Sequence, residues 1–271
     1  MVGKLIKHEM NAFSRSMLPM EIILLGIAVL TRFVQIFETE SRVYDIVRGS
    51  AVVVLVIAIV VSLVMSVVVS IKRFYTNMFT SEGYLTMTLP VKPVWHIVSK
   101  LTVAVISLLA TLLTACVSLS IAALGDVLIE VFKAIGYLWR IFYSHCGAHS
   151  ILYCVEIVIC ALSVMAYLFL LFYGCISIGQ TAKKRRVLAA FGVYFAYYIL
   201  TQILGTVIII IVSSEPQWLM DLGYEMGKWA TKHPIAAAHS LIWGITVFCG
   251  VLSAIWFLIN RYVLKNRLNL E

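Results

Sequence analysis

Residues 71–100 read IKRFYTNMFTSEGYLTMTLPVKPVWHIVSK, and they stand between a pair of strongly apolar runs. Before them comes GSAVVVLVIAIVVSLVMSVVVSI, Gly49 to Ile71. After them comes LTVAVISLLATLLTACVSLSIAAL, Leu101 to Leu124. Each run has about the twenty residues that a helix needs to cross a hydrocarbon core. The segment 72–100 between them carries Lys72, Arg73, Lys92 and Lys100 against one acid, Glu82. That is the charge bias of a cytoplasmic loop. Gly83, Pro90 and Pro93 make it a shaped loop rather than one straight helix.

The rest of the chain has the same character. Of its 271 residues 62% are hydrophobic and 13% charged, and the mean hydropathy is +1.00. This composition excludes an ordinary soluble domain and points to an all-α, multi-pass membrane protein. Six spans are expected, at 17–37, 49–71, 101–124, 150–173, 187–212 and 235–260. Residues 1–16 are amphipathic, with Leu5, Ile6, Met10, Phe13 and Met17 on one face and Lys4, Lys7, His8 and Arg15 nearer the other. They are expected to form an interfacial helix leading into the bilayer. Pro19 then falls near the start of the first span, where proline costs a helix little. No polar stretch is long enough for a separate soluble domain, so any energy source must come from elsewhere.

The formal charge is +8. A basic balance can signal nucleic acid, but here the basic residues sit in short segments between apolar runs. With both termini inside, most of the 21 Lys and Arg fall in the N-terminal arm, the 72–100 loop, the cluster Lys183, Lys184, Arg185, Arg186 and the tail. The acids fall mostly on the other side. The charge is therefore read as topology and contact with anionic lipid. The N-terminus lacks the compact apolar core of a cleavable signal. Most of the six cysteines lie inside apolar runs and do not form a disulfide framework.

Several constellations invite a chemical reading. Ala58, Ser62, Ser66 and Ser70 recur every fourth position, a stripe on which another helix packs closely or which lines a translocation path. Glu21 and Glu156 are the acids within the spans, where a carboxylate needs a partner or water. Glu21 is near enough to an end to reach water; Glu156 needs a base, a proton or a transport role. His145, Cys146 and His149 lie together in SHCGAH; if the segment is helical the two histidines share a face at i and i+4, a spacing suited to a soft metal, but nothing completes the pattern and no metal site is assigned. GYEMGKW at 223–229 has three residues between its glycines where a phosphate loop needs four, and Trp229 stands where that loop needs Ser or Thr. The aromatic-rich segment 125–149 suits a membrane interface.

The stretch FYTNMFTSEGYLTMTLPVKPVWHIVSKL carries Phe74-Tyr75, then Glu82-Gly83-Tyr84-Leu85, Leu89-Pro90-Val91 and Ser99-Lys100-Leu101. In order and spacing it resembles the loop between the second and third spans of type 2 ABC transporter permeases, above all small six-span bacterial ones. KLIKHEMNAFSRSMLP at the start and LKNRLNLE at the end resemble the termini of the same family. The resemblance implies the type 2 membrane-domain fold and a permease without its own ATPase. It implies a homodimer or heterodimer with a second permease, driven by separate ABC ATPase subunits that bind ATP and Mg. It places the protein in a bacterial plasma membrane, working as an exporter of an apolar, amphipathic or peptide cargo. It implies a coupling helix within Tyr75 to Tyr84, with Tyr75, Met78, Phe79, Glu82, Gly83 and Tyr84 as coupling residues and Glu82 the main polar contact. It further implies short re-entrant helices at Trp218 to Pro234. Ser62, Ser66 and Glu156 are the candidates for packing or the path. Two other classes stay open: an ion-driven carrier that uses Glu156 or Glu21, and a membrane-embedded enzyme.

Overall fold

In a computed structural model the chain is all-helical. The structure describes residues 2–37, 41–80, 83, 93–182 and 184–266. Among these are eight helices: α1 (Val2–Ile36), α2 (Arg42–Phe79), α3 (Pro93–Ala122), α4 (Asp126–Cys146), α5 (His149–Gly179), α6 (Arg186–Ser213), α7 (Gln217–Lys232) and α8 (Pro234–Asn266). Six of them, α1, α2, α3, α5, α6 and α8, are long and apolar enough to cross a membrane. The chain is thus a multi-pass helical membrane protein. Runs such as Val52–Val56 and Ile208–Ile211 are rich in β-branched residues, which are middling helix formers in water. In hydrocarbon every backbone N–H must bond within its own segment, and helix is the form that achieves this. α4 and α7 are amphipathic instead. On α7, Asp221, Glu225, Lys228 and Lys232 follow one face and Trp218, Leu222 and Trp229 another.

The helices overrun the expected spans. α1 is one continuous helix, so residues 2–16 are its first turns and not a separate surface helix. Pro19 accordingly lies in a helix interior, where it removes one backbone bond. α2 runs on to Phe79 and α3 starts at Pro93, so residues 72–79 and 93–100 of the expected 72–100 loop are helical. Residues 81–82 and 84–92 lie outside the described residues.

Two compact units divide the chain, Met1–Ile141 and Phe142–Glu271. In the first, α1 packs on both α2 and α3, which also touch each other. One apolar cluster joins Leu24, Ala28, Leu55 and Ala122; a second joins Phe13, Met17 and Val103, flanked by Ile6, Met10, Met20 and Val69. The apolar face of the N-terminal arm is therefore spent on its own neighbours. Ser62, Ser66 and Ser70 are buried along α2. Ser62 donates to the Ile59 carbonyl and Ser70 to that of Ser66, each at 2.8 Å.

In the second unit α5 packs on α6 and α8, and α7 touches α8. Asn260 is 0% exposed at its centre. It accepts from Ser177 at 2.8 Å and donates to the carbonyls of Leu170 at 3.1 Å and Trp256 at 2.9 Å. The α5–α6 approach is close at Gly179, where a Cβ would stand 2.5 Å from the backbone nitrogen of Ala190. α6 itself buries no residue.

Candidate functional site

The residues expected to couple to an ATPase fall partly within the described chain. Tyr75 and Phe79 are half-buried, Met78 is fully buried, and Phe79 meets the ring of buried Phe74 edge-on at 5.9 Å. Gly83 is buried; its N–H donates to the Thr80 carbonyl at 2.8 Å, and a Cβ there would lie 2.7 Å from the Met78 carbonyl oxygen. Only glycine allows the chain to turn this closely past the end of α2. Glu82 and Tyr84 lie outside the described residues.

The same end of the unit holds a polar centre that sequence reading did not anticipate. Glu9, on the arm of α1, accepts from Lys100 Nζ at 2.7 Å, Arg73 Nη2 at 3.2 Å and Asn77 Nδ2 at 3.2 Å. Its side chain is 13% exposed and that of Lys100 4%. One carboxylate thus fastens the start of α1 to the end of α2 and the start of α3. Lys100, read as a loop cation, is a buried helix residue. Its charge is tolerable there because charge-assisted bonds to an anion replace its water. The available signal was a lone acid, Glu9, in an otherwise basic arm.

Further along the same unit, Thr111 Oγ1 lies 3.3 Å from Glu21 Oε1. Glu21 is half-buried and turned toward α3 rather than reaching out to water.

The second unit has its own polar centre, around Glu156. This carboxylate is 5% exposed. Trp243 Nε1 donates to Oε1 at 2.9 Å, and His239 Nδ1 lies 2.7 Å from Oε2. The far nitrogen of His239, Nε2, is 3.3 Å from His149 Nδ1. Tyr153 stacks on the His239 ring at 4.1 Å with a 9° tilt, and its hydroxyl donates to the Ile235 carbonyl at 2.8 Å. The base that Glu156 needs is thus His239, one turn into α8.

The shared helical face expected for His145 and His149, with Cys146 beside them, does not form. α4 ends at Cys146 and the chain turns at Gly147 with φ +56°, so His149 opens the next helix. His145 bonds Ser144, while His149 faces His239. Among the described residues no group of three or more His, Cys, Asp or Glu is arranged to hold a metal ion. The basic cluster before α6 is exposed at Lys184 and Arg185, and Arg185 takes a left-handed conformation, φ 53°. Lys183 is outside the described residues.

Compared with protein-family models, curated proteins and solved structures, the chain finds no match in any of the three.

Proposed function

We propose that this chain is the membrane-spanning permease subunit of an ATP-binding cassette exporter, with the type 2 fold and both termini in the cytoplasm. It dimerises, and separate ATPase subunits dock on the segment between α2 and α3. The observation that carries the reading is the ordered set of loop motifs from Phe74 to Leu101. The Glu9 centre supports it. A docking segment does work only if its displacement reaches the spans, and Glu9 ties both helices that flank this segment to α1. ATP bound by the partner shifts the spans between inward and outward states through its different affinity for the two.

The test is co-purification of the full chain in mild detergent from its native membrane and cytosol, followed by mass spectrometry. A stoichiometric ATP-binding-cassette subunit, lost on substituting Phe79 or Glu82, is the expected result. A clean preparation without an ATPase refutes the reading.

A second reading, an ion-driven carrier, draws on one specific observation. Glu156 is a buried carboxylate joined to a histidine pair that ends at the exposed His149. In that case Glu156→Gln abolishes transport while ATP hydrolysis in the membrane is unchanged.

A further inference from the structure

We infer that His149 and His239 form a two-histidine clamp for a divalent first-row transition ion, Zn2+ or Cu2+, with Glu156 as the carboxylate that orients it. This inference does not depend on the transport reading.

The argument starts from Glu156. Its Oε1 accepts from the indole N–H of Trp243, which can only donate. Its Oε2 lies 2.7 Å from His239 Nδ1, within hydrogen-bond distance. In the His239 tautomer that donates Nδ1–H to this oxygen, Nε2 carries the lone pair. A carboxylate on one ring nitrogen with a bare lone pair on the other is the arrangement of a metal-ligating histidine and its supporting acid.

A second imidazole nitrogen stands beside His239 Nε2. His149 Nδ1 is 3.3 Å away. That is at the long end of hydrogen-bond distances. It matches the separation of two ligand nitrogens that share a tetrahedral ion, which is about 3.3 Å when each bond is ~2.05 Å. The two rings stand 5.4 Å apart at 57°. His239 is held in place before any ion arrives: Glu156 fixes one edge, and Tyr153, anchored through its hydroxyl to Ile235, covers one face. His149 is exposed, which leaves the entry open. Imidazole suits Zn2+ and Cu2+ and does not suit Mg2+ or Ca2+. Water fills the remaining positions, since no third protein ligand stands within the described cluster. A site of this kind binds reversibly, and it bridges the first turn of α5 to α8.

The test uses the full chain in mild detergent, purified on a tag without histidine. Zn2+ is titrated calorimetrically into the wild type and into His149→Ala, His239→Ala, His145→Ala and Glu156→Gln. The cysteines are common to all five proteins, so their background cancels in the comparison. Expected is one site in the wild type that disappears in His149→Ala and His239→Ala and persists in His145→Ala. Glu156→Gln is expected to weaken it about tenfold or more, the usual effect of losing a supporting carboxylate. Zn2+ should raise the unfolding temperature of the wild type and leave that of His149→Ala unchanged. His149 is exposed, so its variant folds even if the buried ones do not, and it decides the matter. A wild-type isotherm equal to that of His149→Ala overturns the inference, as does loss of the site in His145→Ala.

Discussion

Replacing Glu9 with alanine removes the anion from three donors at once. Lys100 suffers most, because its side chain is 4% exposed and its 2.7 Å bond to Glu9 is the shortest of the set. Stripping one partner from a buried ion pair costs about 3–5 kcal/mol. The lower end applies here: Arg73 is 22% exposed and can turn to water, so its share is small. A loss of about 3 kcal/mol is expected for Glu9→Ala, read by titrating SDS into mild-detergent micelles and following helix content. Lys100→Met removes the cation instead and leaves Glu9 with Arg73 and Asn77. The double variant Glu9→Ala/Lys100→Met has no buried charge left unpaired at this point. It should therefore be less damaged than the sum of the single variants by at least about 1 kcal/mol. Two results would refute the reasoning. One is a Glu9→Ala protein within about 0.5 kcal/mol of the wild type, the size of an ordinary surface change. The other is strict additivity in the cycle, which would mean that Glu9 and Lys100 do not hold each other.

Three further outcomes follow from the packing. Gly179→Ala would put a methyl 2.5 Å from the Ala190 backbone nitrogen and should cost about 1–3 kcal/mol, whereas Gly205→Ala, which meets open space, should be neutral or slightly stabilising; the same SDS titration compares them. Asn260→Ala should cost about 1–2 kcal/mol by leaving Ser177 and two carbonyls without their partner, and Ser177→Ala, which leaves the Asn260 amide bonds to Leu170 and Trp256 in place, should cost less. Glu156→Leu should leave the Trp243 indole and His239 imidazole without an acceptor and blue-shift or broaden the tryptophan emission, while Glu156→Gln, which still offers an oxygen, should perturb it less.

The spans were legible because the bilayer imposes a strong and simple demand: an uncharged run of sufficient length. Where they end was not legible, and the reason is physical. Lys72–Phe79 and Pro93–Lys100 are polar enough to read as loop, but a helix does not stop where it leaves hydrocarbon. Arg73, Asn77 and Lys100 continue it, and they answer to Glu9 rather than to solvent. The same blindness to distance hid the partner of Glu156. A buried carboxylate announces that it needs a base, yet His239 lies 83 positions away in an alanine-rich stretch, and nothing local marks it. His145, Cys146 and His149 failed in the opposite way. Their spacing is correct for a helix, and a single glycine between them cancels the periodicity on which that reading rests.

α2 has 38 residues. At 1.5 Å per residue it is about 57 Å long, nearly twice a hydrocarbon core of ~30 Å. A rod of that length is an amplifier. A swing of about ten degrees at one end carries the other through about 10 Å, and even a swing of about three degrees moves it by about 3 Å. The fully buried Phe74 and Met78 grip the rod at its far end, in the segment where it meets the loop. Small angular changes applied there are returned as side-chain-sized displacements at the opposite end, and the reverse holds equally.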